Sequence, residues 1–211
     1  MKRVLLLAVL AVVGIALAAG CEKTETSTPS AGSGATGATG TAATTPTSGG
    51  EARMDGKTAV AKITPSQSST TQPTGNQPTG TVTFTQSGDN VKVVADISGL
   101  TPNAKHGFHI HEKGDLSAPD LASAGAHYNP DGHVHGGPTT SPVHAGDLGN
   151  LDADASGKAH LEITLDDISI GGKNDIVGKS VIVHAKPDDL KSQPSGNSGG
   201  RIGGGKIELQ Q

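Results

Sequence analysis

His109 and His111 are separated by one residue, at the end of a stretch that is typical of a β-strand. Alternate residues of a strand point to the same face, so the two imidazoles share a face, with backbones roughly 6.6 Å apart. Two side chains at this spacing can converge on one metal ion. A His-x-His pair is also common on protein surfaces, so the pair alone leaves metal binding and a solvated strand equally open.

The Gly- and Pro-rich segment that follows contains a second group of residues with metal-binding chemistry. This group is His127, His135, His144 and Asp147. Three imidazoles and one carboxylate suit tetrahedral zinc. Each residue also has a simpler interpretation, because an aspartate can stabilise a Gly-Asp turn and any one histidine can be a solvated loop residue. The four together, downstream of the His-x-His pair, favour a metal site.

His184 ends the apolar segment Val181-Ile182-Val183-His184. A single histidine in that position is usually structural, but here it offers another imidazole if the chain folds back onto His109 and His111. Several imidazoles without a thiolate or methionine suit Cu(II) in a tetragonal nitrogen field. The sequence therefore predicts two adjacent sites, one for copper and one for zinc.

Composition limits the other functions that this chain can have. The 211 residues carry a net charge of −4 and only three aromatic residues, Phe84, Phe108 and Tyr128. An acidic chain with so few rings argues against nucleic acid as a partner. Cys21 is the single cysteine, which excludes an internal disulfide, a Cys-rich zinc site and an iron–sulfur cluster.

The elements that must position the histidines are predicted to be strands. Polar and apolar residues alternate with a period of two in the segments 82–84, 91–97, 160–165, 181–184 and 206–209, and turn-forming residues separate them. No convincing amphipathic helix is present, and Pro65 to Gly80 is predicted to be a long loop after the first strand. The pattern indicates an all-β sandwich or barrel over residues 57–211, with a core of Val, Ile, Leu and Ala.

The first 56 residues are predicted to export and tether this domain. Lys2 and Arg3 precede an apolar run, so residues 1–20 are typical of a signal peptide. The segment 17–21 resembles a bacterial lipoprotein processing site, which implies lipid on Cys21, anchoring in a bilayer, and a periplasmic or cell-surface location. Ordinary secretion with a leftover thiol is the alternative. Residues 21–56 are rich in Gly, Ser, Thr, Ala and Pro and are predicted to form a flexible tether. Cleavage would remove Lys2 and Arg3 and change the net charge from −4 to −6.

Several motifs surround the histidines in a fixed order along the chain. They are the segments 107–112, 123–130, 135–138, 144–150, 183–184 and 199–201. With these motifs, residues 57–211 resemble the copper/zinc superoxide dismutase family. The resemblance implies an eight-stranded Greek-key β-barrel or sandwich with long metal-binding loops, copper and zinc as cofactors, and superoxide as the substrate. The family's dimer surfaces vary, so a homodimer is left open.

The resemblance also implies a role for each site residue. Copper would be held by His109, His111, His127 and His184, and zinc by His127, His135, His144 and Asp147. His127 would bridge the two metals and take part in proton transfer, and Arg201 would attract and orient the anion. Asp188 would hold a copper-ligand histidine and a zinc-ligand histidine in position. The reaction would convert two superoxide ions into oxygen and hydrogen peroxide. His106, His133 and His160 are left without a metal role, although His133 is a near neighbour of His135.

The chain departs from the family pattern at its disulfide. Leu121 and Gly204 occupy the corresponding positions, which suggests that Leu121 packs apolarly and that the metals fasten the loop. The loop between His184 and Arg201 is also short and nearly neutral. Two other functions remain as alternatives: a non-catalytic copper- and zinc-binding lipoprotein, and an adhesive β-domain on a stalk. The first would not need Arg201, and the second makes the histidines accidental.

Overall fold

The computed structural model describes residues 56–70 and 76–211. The predicted signal peptide, Cys21 and almost all of the predicted tether lie outside these residues. Within the described part of the chain, no helix is both long and apolar enough to cross a bilayer.

Eight antiparallel strands form the domain. They are β1 (Thr58–Pro65), β2 (Thr79–Ser87), β3 (Asn90–Ser98), β4 (Lys105–His111), β5 (Asp147–Asp152), β6 (Ala159–Leu165), β7 (Ser180–His184) and β8 (Arg201–Leu209). Their order across the sheet is β5-β4-β7-β8-β1-β2-β3-β6, and β5 and β6 approach each other to make a nearly closed barrel. Three pairs of neighbouring strands, β3–β6, β4–β7 and β1–β8, are not consecutive in the chain, which is typical of Greek-key topology. The predicted all-β fold is confirmed.

The strands follow from the alternating pattern of the sequence. In β3, Val91, Val93, Ala95 and Ile97 point into the core, while Lys92 and its alternating neighbours point outward. The predicted core of Val, Ile, Leu and Ala is incomplete, because the rings of Phe84 and Phe108 are also fully buried in it. The two rings supply volume that the small alanine side chains of this core do not.

The segment from Pro65 to Gly80 is less of a loop than the sequence predicts. Pro65 is the last residue of β1, and Thr79 begins β2, so both ends of the segment pair in the sheet. Between them, α1 (Gln67–Thr70) forms one helical turn. The polar composition of the segment did not indicate the strand ends, because backbone pairing with neighbouring strands does not require apolar side chains at every position.

Candidate metal centre

β4 carries two histidines on the face opposite the core. Phe108 and Ile110 point into the core, so alternation directs His109 and His111 to the other side. Both imidazoles are nevertheless buried, because the long segments between strands cover this face. We call residues 112–146, between β4 and β5, the first loop, and residues 185–200, between β7 and β8, the second loop.

The first loop turns back along β4 and brings His127 beside the pair. His111 and His127 form an antiparallel bridge, and the Tyr128 N–H donates to the Ile110 carbonyl at 2.8 Å. The imidazoles of His109 and His127 consequently stack with their centroids 3.9 Å apart. Backbone pairing thus places a loop histidine next to two strand histidines.

His184 completes a group of four imidazoles. It is the last residue of β7, which pairs with β4, and its Nε2 lies 3.4 Å from Nε2 of His111. Ligand atoms of His109, His111, His127 and His184 all lie within 4.8 Å of one another, and all four residues are buried. We call this group the copper cluster, after the ligand set that the sequence predicts.

The second group forms around the carboxylate of Asp147. Its Oδ1 lies 2.9 Å from Nδ1 of His127, 3.0 Å from Nδ1 of His135 and 3.4 Å from Nδ1 of His144. Its Oδ2 accepts a hydrogen bond from the Gly136 N–H at 3.0 Å. We call these three histidines and Asp147 the zinc cluster. His127 belongs to both clusters and offers a different ring nitrogen to each.

Asp188 connects the two clusters through hydrogen bonds. Its Oδ2 accepts from Nε2 of His109 at 2.7 Å, and its Oδ1 accepts from Nε2 of His135 at 2.9 Å. Asn150 on β5 holds the main chain of Asp188, accepting from its N–H at 2.8 Å and donating to its carbonyl at 3.0 Å. The second loop is thereby attached to a strand at the point where it reaches the histidines.

The outer nitrogens of the copper cluster are occupied, which leaves the inner ones directed at a common centre. His111 donates from Nδ1 to the Gly125 carbonyl at 3.0 Å, and His184 donates from Nδ1 to the Gly199 carbonyl at 3.2 Å. Nδ1 of His109 and Nε2 of His127 are buried without a hydrogen-bond partner. Buried polar atoms without partners are rare and costly, so their presence here fits atoms that bind metal. The donor sets, four nitrogens and three nitrogens with one oxygen, suit Cu(II) and zinc respectively.

Burial and local charge set the protonation of the metal-free clusters. Burial lowers the pKa of His109 to about 4 and that of His184 to about 3, and it also lowers the pKa of His111. His135 differs: burial opposes its charge, but hydrogen bonds to Asp147 and Asp188 outweigh burial and raise its pKa to about 9. Metals bind neutral imidazole, so His109, His111 and His184 are ready for a cation at neutral pH, whereas His135 must first lose a proton.

Arg201, the first residue of β8, lies beside the copper cluster. Its Nη1 donates to the Leu121 carbonyl at 2.6 Å, and its Nη2 donates to the Gly125 carbonyl at 2.5 Å. The Gly125 carbonyl also accepts from His111, so one peptide oxygen holds both the guanidinium and a member of the copper cluster. The Arg201 charge further lowers the pKa values of His111 and His184, after burial and the neighbouring histidines.

The structure places the remaining candidates as follows. Among the described residues, His106, His133 and His160 belong to no group of converging ligand atoms. His106 nevertheless supports the site, because its Nδ1 donates to the His184 carbonyl at 2.8 Å. Leu121 is buried against Ala124 and Ile182, so its predicted apolar packing is confirmed.

The sequence analysis did not identify three residues that shape the site: Asn150, Gln193 and Gly196. The amides of Asn150 and Gln193 contact the main chains of Asp188 and His135, and Gly196 leaves room beside the Asp188 carboxylate. No pattern of residue types in the sequence indicates these roles. The position of Asn150 in the predicted motif 144–150 was the one available signal.

Comparisons with known proteins are consistent with this arrangement. Residues 78–207 match the family model described as copper/zinc superoxide dismutase. A superoxide dismutase [Cu-Zn] of Paramecium bursaria Chlorella virus 1 is 48% identical over 130 residues, which are 59% of this chain and 69% of that protein. An extracellular superoxide dismutase [Cu-Zn] of Drosophila melanogaster is 47% identical over 156 residues, covering 70% of this chain and 82% of that one.

A solved structure shares the fold as well. The crystal structure of the clock protein EA4 superposes with a TM-score of 0.63 at 36% sequence identity, covering 74% of this chain and 96% of that chain. The barrel and its connections therefore match a known structure over most of the length of both proteins.

Proposed function

The chain belongs to the copper/zinc superoxide dismutase family, and we propose that it disproportionates superoxide at a redox-active copper beside a structural zinc, in an extracytoplasmic space. Enzymatic superoxide dismutation and the copper and zinc cofactors follow from membership of the family. The assignment of residues to each metal, the roles of the metals and the location are our proposal.

The shared position of His127 is the observation that carries the proposal. Its Nδ1 faces Asp147 in the zinc cluster, while its Nε2 is buried without a partner on the side of the copper cluster. Copper would be held by Nδ1 of His109 and Nε2 of His111, His127 and His184. Zinc would be held by Nδ1 of His127, His135 and His144 and by Oδ1 of Asp147. Two sites that share one ring agree with a metal pair better than with two unrelated binding sites.

When bound, copper supplies reversible one-electron chemistry, which lets two superoxide ions and two protons become one oxygen and one hydrogen peroxide. The protein's contribution is to bind, orient and protonate. His109, His111 and His184 are kept neutral by burial, and their outer nitrogens are fixed by hydrogen bonds. Nε2 of His127 could hold a proton beside the substrate whenever it is not a copper ligand, since its Nδ1 faces the zinc cluster.

Arg201 would bind the substrate anion. Two peptide carbonyls fix its guanidinium near His111 and His184, and the remaining N–H groups are free to donate to superoxide. A fixed positive charge at this position both attracts the anion and orients it. A protein that only stored metal would gain nothing from such a group, so Arg201 supports catalysis over storage.

The location rests on the segment before the domain and on one relative. Residues 1–20 have the composition of a signal peptide, and Cys21 is placed for lipid attachment ahead of the Gly- and Ser-rich segment. The similar Drosophila melanogaster protein is described as extracellular. We propose that the domain is held outside the cytoplasm on a membrane surface through lipid on Cys21.

The test is to load the full chain with both metals and measure copper and zinc per chain together with the rate of superoxide consumption. We expect one copper and one zinc per domain and rapid, catalytic consumption. Arg201→Ala should keep both metals while the rate falls at least tenfold. If the protein binds both metals but superoxide decays no faster than in buffer alone, the protein is instead the non-catalytic metal-binding lipoprotein.

A further inference from the structure

Gln193, in the second loop, contacts the main chain of a zinc-cluster residue at two points. The His135 N–H donates to its Oε1 at 2.8 Å, and its Nε2 donates to the His135 carbonyl at 3.0 Å. Nε2 also donates to the Lys191 carbonyl at 3.1 Å, which holds the amide within its own loop. One side-chain amide therefore satisfies both backbone groups of His135.

These contacts join the first and second loops where the zinc cluster lies. His135 belongs to the first loop, and Gln193 and Asp188 belong to the second. The imidazole of His135 donates to Asp188 at 2.9 Å, so side-chain and main-chain atoms of His135 are held by the same loop. Asn150 makes the same kind of two-point contact with the main chain of Asp188, which attaches that loop to β5.

Hydrogen bonds between the first and second loops matter in this chain because no disulfide can link the loops. Cys21 is the single cysteine of the sequence, so no disulfide can form within the chain. The resemblance to the family implies that Leu121 and Gly204 occupy the positions of its disulfide. Release of zinc would require its ligands, His135 among them, to withdraw from the ion, and His135 withdraws more easily if its main chain can move. An amide that holds the main chain of His135 opposes that movement directly.

We propose that Gln193 is a positioning residue of the zinc cluster: it fixes the main chain of His135 and so slows the loss of zinc. The inference rests on the proposed assignment of zinc to His127, His135, His144 and Asp147. Gln193 is exposed to solvent, so water competes for its hydrogen bonds. We therefore expect an effect of about tenfold on zinc release, which corresponds to about 1.4 kcal/mol.

The experiment compares zinc release from the full chain loaded with copper and zinc. An excess of a chromogenic chelator reports the first-order release rate at 25 °C in the parent, Gln193→Ala and Gln193→Met. Methionine keeps the length of the side chain and removes the amide, so it separates hydrogen bonding from packing. Gln210→Ala, a substitution of the same type at an exposed position near the end of the chain, is the matched control.

We expect both Gln193 variants to release zinc about tenfold faster, with copper release and the Gln210→Ala control unchanged within twofold. A general structural defect would accelerate the loss of both metals and would contradict the proposal. Parent-like zinc release in both variants, or in Gln193→Met alone, would also overturn it. A parent chain that fails to bind zinc would remove the proposed function as well, whereas tight parental zinc with unaltered variants would remove only this inference.

Discussion

Replacing Gly196 with alanine is expected to separate Asp188 from His135 and so to weaken the zinc cluster. A methyl group at Gly196 would lie 1.7 Å from Oδ1 of Asp188 and 2.7 Å from Nε2 of His135. Ordinary non-bonded contacts lie at about 3.5 Å, so the carboxylate oxygen must move by more than about 1 Å. Both groups are buried, which leaves little room for the movement.

The cost follows from the contacts that this movement breaks. Oδ1 of Asp188 accepts from His135 at 2.9 Å and from the Leu190 N–H at 2.7 Å. Hydrogen bonds to a charged group contribute about 1.5–3 kcal/mol each, so losing two costs about 3–6 kcal/mol. Gly196 also has φ of +63°, a conformation that costs alanine roughly 1–2 kcal/mol.

Gly178→Ala is the matched control, because Gly178 has φ of +82° and no atom lies within 4 Å of the added methyl group. The two variants share the backbone strain, and their difference isolates the collision with Asp188. At about 2–4 °C per kcal/mol for a domain of this size, we expect Gly196→Ala to melt at least about 6 °C below Gly178→Ala. Calorimetry and zinc content per chain measure this. Equal melting temperatures and equal zinc contents would refute the reasoning.

Four further predictions concern the loops, the metals and the substrate. Leu121→Ala should lower the free energy of unfolding by about 2–5 kcal/mol in denaturant titrations, because a buried side chain is truncated. Removing the metals with a chelator should lower the melting temperature by several degrees, and a change within about one degree would show that the metals do not fasten the loops. Raising salt from low to physiological strength should slow turnover of the parent but not of Arg201→Ala, measured by stopped-flow decay of superoxide. The raised pKa of His135, about 9 against 6.5 in the unfolded chain, stabilises the metal-free protein fully below pH 6.5, and this stabilisation is lost as pH rises through 9. Zinc binding at pH 7.5 should therefore release a proton, detected by calorimetric titration in buffers of different ionisation enthalpy, and buffer-independent heats would contradict this.

The sequence predicted the parts of the molecule that residue type and period determine. Alternation in β3 identifies the strand and its buried face, and the His-x-His pair of β4 identifies the face that carries the site. The order of motifs led to the family resemblance, and the structure brings the predicted ligands together in two groups. The strand, the site-bearing face and the ligands were predictable because each depends on the type of side chain at a given position.

The contacts that position these ligands were not predictable in the same way. Asn150 and Gln193 bind the main-chain N–H and carbonyl groups of Asp188 and His135. Nearly every residue has these groups, so the sequence around Asp188 and His135 does not indicate which side chain binds them. Gly196 acts by lacking a side chain close to Asp188. Each of these contacts depends on how the second loop folds against β5, the first loop or itself, and the residue types along the chain do not show that arrangement.

The hydrogen bonds around the site predict that metal binding and loop closure are coupled. Three outer nitrogens of the copper cluster have a partner in a loop: Asp188 for His109, Gly125 for His111 and Gly199 for His184. The outer nitrogen of His127 faces Asp147 at the start of β5. Of the inner nitrogens, Nε2 of His111 and Nε2 of His184 face each other at 3.4 Å, whereas Nδ1 of His109 and Nε2 of His127 are buried without a partner. Because an unpaired buried polar atom costs about 1–3 kcal/mol, the metal-free centre is destabilised by the same geometry that would bind the ions. We therefore expect loop closure to be more favourable when metal is bound, which is the coupling that the chelator experiment measures.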